Sequence, residues 1–213
     1  MTNKHLAIMQ PYIFPYIGYF HLIDASDLFI FYDDVNFIKG GWINRNRLLA
    51  HEKDMLFTVP VSKISPNKLI NETKPVINDA WTNKFYKQLK QNYSKSPHYN
   101  DIVDLIRDVF VIKYEDITDL CINSIVAVFE YLSIKFEYKK SSLCSPKTKG
   151  IEKTERIISI ANKMGYSSYV NASGGVSLYS KEDFLKRGID LYFLKSKNIE
   201  YTQFSNKFVP QLS

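Results

Sequence analysis

Residues 8–34 read IMQPYIFPYIGYFHLIDASDLFIFYDD. Two short, continuous apolar runs frame this stretch, HLAIMQ (5–10) and LFIFYD (28–33). Runs of that kind are strands covered on both faces, as in a parallel sheet. Between them IGYFHLIDAS (17–26) spaces Ile17, Phe20 and Ile23 as a helix does. The unit reads strand, loop, helix, strand, with the two strands adjacent and parallel.

Outward from this unit, MLFTVPV (55–61) is a further strand candidate. Residues 79–132 read as helices. WTNKFYKQLKQNY puts Trp81, Phe85, Leu89 and Tyr93 on one stripe, and IVDLIRDVFVI and ITDLCINSIVAVFEYL follow. IKFEYKK (134–140), SSYVNA (167–172) and IDLYFLK (189–195) are strands. EKTERIISIANKM (152–164) and KEDFLKR are helices closed by Gly165 and Gly188. Recurrence of β, α, β at both ends predicts an α/β fold with a mainly parallel, Rossmann-like sheet and a helical insert or layer. At 213 residues the expectation is one domain over 1–213, mostly helical at about 79–132.

The chain is 45% apolar, with 14 Phe and 15 Tyr against 8 Gly and 8 Pro, which excludes a disordered or low-complexity chain. No apolar run is long enough to span a bilayer, and the first proline comes too early for a signal peptide, so cytoplasm is the expected compartment. Cys121 and Cys144 have neither metal-ligand spacing nor a disulfide framework, and no metal site is expected. Residues 1–134 carry 14 Lys/Arg and 15 Asp/Glu, residues 135–213 carry 14 and 7. The basic excess of the last third suits phosphates, whether of a nucleotide, a nucleotide-sugar or RNA, and equally suits a solvated lysine-rich surface.

In an open α/β sheet ligands bind beyond the carboxyl ends of the strands, where the opening loop sits. Pro11 and Pro15 stiffen it, and Gly18 at the helix start lets a phosphate approach free N–H groups and the positive end of the helix dipole. Gln10, Pro11, Tyr12 and Gly18 are therefore candidate ligand contacts. His21, one turn into the helix, is a candidate base. Asp33 and Asp34 end the second strand, where alternation sends them to opposite sides, and one of them suits a magnesium ion, a ribose hydroxyl or an amine proton. In GGWINRNRL (40–48) alternation groups Asn44 with Asn46 and Arg45 with Arg47, the arginines forming a clamp for phosphate or carboxylate. Asn171, Gly174, Gly175 and Tyr179 in YVNASGGVSLY form a second candidate binding loop. Structural readings stand beside each: core aromatics, a turn cap, a glycine turn. The chain has no Walker A, G-x-G-x-x-G, H-E-x-x-H or G-x-S-x-G sequence.

MQPYIFPYIGYFHLI, FYDDVNFIKGGWINRNRL, MLFTVPV, TERIISIANKMG and YVNASGG, in this order, resemble the WbqC-like family over nearly the whole chain. The resemblance implies a further helix beyond FVPQLS, where this sequence stops. Membership implies a place in bacterial O-antigen or other surface-polysaccharide biosynthesis, with transfer of an amino acid such as glycine onto an amino sugar. It transfers no catalytic residue. A remoter similarity of layout links strand, proline-bearing loop, PYIGYF and helix to the adenylate-forming HIGH-motif superfamily of nucleotidylyltransferases and pantothenate synthetase. At the H-x-G-H positions stand Pro15, Gly18 and Tyr19 with different spacing, and His21 comes two residues late. The phosphate-binding histidines of that superfamily are missing there.

These readings combine into an expected amide-forming acyl or aminoacyl transferase acting on a nucleotide-linked amino sugar. Asp33, Asp34 or His21 would take the ammonium proton, and Asn44 or a backbone N–H near Gly174 would hold the oxyanion. The acyl donor is open among an ATP-activated acid, an acyl-CoA and an aminoacyl-tRNA. No RNA-binding motif supports tRNA as a partner. The alternatives are a sugar-nucleotide-binding protein without catalysis and a nucleotidylyltransferase using ATP.

Overall fold

In chain order the elements are β1 (His5–Met9), α1 (Ile17–Asp24), β2 (Leu28–Phe31), β3 (Arg45–Ala50), β4 (Lys53–Thr58), α2 (Asp79–Tyr93), α3 (Tyr99–Val111), α4 (Ile117–Tyr131), β5 (Tyr138–Lys140), α5 (Ser141–Cys144), α6 (Lys153–Met164), β6 (Ser168–Ala172), α7 (Lys181–Leu185) and β7 (Asp190–Leu194). This computed structural model describes residues 4–65, 67–197, 200–204 and 207–213. Two compact units result. A sheet unit holds Met1–Pro11, Ile17–Asp34 and Lys135–Lys197, and a helical unit holds Tyr12–Tyr16, Val35–Ile134 and Asn198–Ser213.

The sheet unit is an α/β Rossmann-like layer. Its five strands run in the order β5-β2-β1-β6-β7, and every pairing is parallel. All four residues of β2 are buried, as a strand covered on both faces requires. Side-chain alternation divides the sheet between two layers. Leu6, Ile8, Leu28, Ile30, Tyr169 and Leu191 pack with Ile157, Ile158, Ile160 and Ala161 of α6 and with Phe184 of α7. On the other face the Tyr19 ring of α1 lies 5.4 Å from the Phe29 ring. The buried side of α1 is Gly18, Tyr19, Leu22 and Ile23 rather than the expected stripe, and Ile17 is 58% exposed. With eight residues α1 has room for little more than two turns, and the strand face it covers selects Tyr19 and Leu22. α6 ends at Gly165 in the left-handed conformation (φ 74°), as its sequence predicts.

The helical unit joins the antiparallel hairpin β3–β4 to three helices. The MLFTVPV strand thus belongs to a two-stranded sheet of its own. Phe85 and Leu89 are buried, with Trp81 and Tyr93 partly so, which bears out the α2 stripe. Asn78 and Asp116 cap α2 and α4 by accepting from Trp81 N and Asp119 N. Phe14 takes a left-handed φ of 40°, unusual for a bulky residue. Its N–H donates to Ser124 Oγ at 3.1 Å, and its carbonyl accepts from Asn46 Nδ2 and, at 2.6 Å, from Ser213 Oγ. Both cysteines are free thiols, with Cys121 buried. Among the described residues no helix is long and apolar enough to cross a membrane.

Candidate functional site

Chain connections leave β1 in one direction towards β2 and β6 in the other towards β7, so the strand order reverses between β1 and β6. An open α/β sheet takes its ligands at such a point, beyond the carboxyl ends of the strands. Here the ladder is also short. β1 pairs with β2 over four residues and β6 with β7 over five, but β1 and β6 pair only as His5↔Ser168 and Leu6↔Tyr169. Further along, the Ile8 carbonyl accepts from the Tyr169 hydroxyl at 3.4 Å.

Residues from both strands border this short ladder. Gln10 follows β1, and its carbonyl accepts from the Tyr19 hydroxyl at 2.9 Å. Asn171 lies near the end of β6, buried, with Oδ1 accepting from Ala172 N at 2.8 Å. A Cβ built on Gly175 would stand 2.5 Å from its Nδ2. Gly175, lacking a Cβ, thus leaves the Asn171 amide its present place. A Cβ on Gly174 would meet nothing within 4 Å. Tyr179 packs edge-on to Tyr169 and Phe184, and burial pushes its phenol up to about 12. His21 reaches the carboxyl end of β7 through Nδ1 and Ser196 Oγ, 3.4 Å apart.

Next along the same sheet edge, beyond β2 and β5, lies a buried polar network. Asp33 and Asp34 are 1% and 5% exposed. Both carboxylates accept from Ser141 Oγ, at 2.9 and 2.5 Å. Asp33 also accepts from Ser142 N at 2.9 Å and from Ser142 Oγ, which caps the start of α5. Arg156 Nη2 pairs with Asp34 Oδ2, Arg156 Nε donates to Thr148 Oγ1 at 3.2 Å, and its guanidinium lies 4.6 Å from the Tyr32 ring centroid.

In the helical unit β3 separates its side chains as alternation predicts. Asn44 and Asn46 are buried, Asn44 Nδ2 donating to the Val59 carbonyl at 2.7 Å and Asn46 Nδ2 to the carbonyls of Ile13 and Phe14. Arg45 and Arg47 share the other face, both against the Trp42 ring.

With this geometry in hand, comparison with known proteins gives a family. A profile of the WbqC-like protein family matches residues 10–213. The chain belongs to the WbqC-like family. This WbqC-like chain is 28% identical over 216 residues to the uncharacterized protein Rv1507c of Mycobacterium tuberculosis (strain ATCC 25618 / H37Rv), covering 99% of this chain and 90% of that one. No solved structure matches it.

The WbqC-like chain thus gathers Gln10, Pro11, Gly18, His21, Asp33, Asp34, Asn171, Gly174, Gly175 and Tyr179 in its sheet unit, whereas Tyr12, Asn44, Arg45 and Arg47 belong to the helical unit. One expectation is corrected. Asp33 and Asp34 converge on Ser141 instead of diverging, because β2 ends at Phe31 and strand alternation does not extend to them. Arg156, Ser141, Ser142 and Trp42 were not singled out from the sequence. Arg156 carried only a weak signal in the sequence, its place directly before the apolar pair Ile157-Ile158.

Proposed function

We propose that the WbqC-like chain binds a nucleotide-linked amino sugar at the carboxyl edge of its parallel sheet and forms an amide on that sugar. The observation that carries this reading is the interrupted ladder between β1 and β6 at the reversal of strand order, bordered by Gln10 and Asn171. The space at Gly174 suits a phosphate held close to backbone N–H groups. The amide forms when the neutral amine of the sugar attacks an activated acyl carbon. A C–N bond forms, the bond to the leaving group breaks, and the amine proton must go to a base. Asp33 and Asp34 already accept from Ser141, Ser142 and Arg156, and Asn44 from its side chain already serves Val59. The base role therefore falls to His21, and oxyanion stabilisation to backbone N–H groups near Gly174. The donor is an ATP-activated acid, an acyl-CoA or an aminoacyl-tRNA, and the biological setting is O-antigen or surface-polysaccharide assembly in the cytoplasm.

The internal commitments of both aspartates and of Asn44 favour a second reading, sugar-nucleotide binding without catalysis. Thermal-shift and calorimetric titration with uridine and thymidine diphosphate sugars, free nucleotides and coenzyme A tests the binding. An amino-sugar nucleotide is expected to bind wild type and to bind Asn171→Ala more weakly. Mass spectrometry with each donor class then reads amide formation, which His21→Ala abolishes while retaining binding. Failure of every nucleotide-sugar to bind refutes both readings, and binding without product under any donor leaves the second.

A further inference from the structure

Trp42, in the helical unit, carries two cations. Arg47 Cζ lies 4.8 Å from the ring centroid and Arg45 Cζ 5.4 Å. Like charges held on one indole repel unless anions attend them. Arg47 has Asp54, whose Oδ2 stands 3.5 Å from Nε. Arg45 has no carboxylate among the described residues, and its Nε is buried without a hydrogen-bond partner. Folding has thus desolvated a guanidinium donor and left it unmatched, which costs free energy unless a ligand supplies the acceptor. Gly40, at φ +77°, lies beside the Arg45 fork, and a Cβ there would stand 3.8 and 3.9 Å from its two Nη atoms. Trp42 itself is 43% exposed.

We infer that Trp42, Arg45 and Arg47 form an oxyanion-binding site that takes a phosphate or carboxylate group on the Arg45 fork. A planar guanidinium presents paired donors that match either oxyanion, and one seated over an indole is already partly ordered before binding. Arg47 adds the second positive charge, with Asp54 limiting the excess to about one. The inference does not need a nucleotide-sugar at the sheet edge, because every residue in it lies in the helical unit.

Calorimetric titration of the whole chain at constant ionic strength tests it, with sodium pyrophosphate in one arm and sodium acetate in the other. Saturable binding in at least one arm is expected, and the arm that binds names the oxyanion. Arg45→Lys keeps the charge but loses the fork, and it is expected to weaken that binding at least tenfold, as is Arg47→Gln. The melting temperature of each variant is measured alongside, and Arg47→Gln at its half-exposed position serves if Arg45→Lys does not fold. No saturable binding in either arm overturns the site. So does wild-type affinity in well-folded Arg45→Lys and Arg47→Gln, and so does a loss confined to Asn171→Ala, which would place the anion at the sheet edge.

Discussion

Arg156 Nη2 stands 2.5 Å from Asp34 Oδ2, with the two side chains 3% and 4% exposed. Removing one partner strands the other as an uncompensated buried charge. Arg156→Met is therefore expected to cost about 3–5 kcal/mol, read from urea unfolding midpoints. Replacing both, Arg156→Met with Asp34→Leu, removes the stranded charge and recovers much of that loss. A double variant no more stable than the single one refutes this account of the pair.

Gly175→Ala is expected to act on ligand and not on fold. Its φ does not lie in the left-handed region, so alanine is conformationally acceptable there, but the new Cβ meets Asn171 Nδ2 at 2.5 Å. The flexible amide must turn away. Nucleotide-sugar affinity should fall about tenfold, the worth of one well-made hydrogen bond. The melting temperature should barely move. A large melting loss with unchanged affinity would show Asn171 to be packing alone.

Asn46→Ala should destabilise the helical unit. It takes the donor from the buried Ile13 carbonyl, leaves that of Phe14 to Ser213 Oγ alone, and loosens a residue held at φ 40°. A buried acceptor left without its donor sets the cost at about 1–3 kcal/mol. Chemical denaturation measures it, and a variant as stable as wild type would mean that water or a neighbour replaces the amide at no cost.

Alkaline titration should unfold the protein in a defined window. Burial raises the Tyr179 phenol from 10.0 to about 12 and pushes those of Tyr12 and Tyr169 up too. A raised folded value means that the fold prefers the protonated phenol. This stability is complete below pH 10 and is lost as pH rises through about 12. Tyrosinate absorbance from these residues should therefore appear together with loss of the helical circular-dichroism signal. Ionisation at the ordinary tyrosine value in an intact fold would contradict their burial.

The sheet was legible because its strands are uniformly apolar: LFIF in β2 could hardly be anything but a covered strand, and all four residues are buried. Gly165 and Gly188 marked the ends of their helical segments, and both take positive φ. What one sequence could not show is pairing over distance. Nothing near Asp33 or Asp34 announces Ser141, 108 and 107 positions away, so two satisfied carboxylates read as free ones. The arginines were legible as a pair by alternation, but their shared indole was not, because Trp42 precedes β3 in a loop whose course depends on tertiary packing. The Tyr12–Tyr16 segment belongs to the helical unit through hydrogen bonds as remote as that to Ser124, 110 positions on.

The sheet is interrupted by chain that has to be synthesised before it can be completed. β2 gains β1 early, but its other neighbour, β5, emerges more than a hundred residues later, as the 107 positions from Asp34 to Ser141 show. At translation speeds of about 5–20 residues per second the nascent protein therefore exposes a charge-free LFIF edge for on the order of 5–20 seconds. Unpaired edges of that composition recruit other strands. Ribosome-associated chaperones have most to shield at this point, and slowing translation downstream of Phe31 should cost yield before it costs stability.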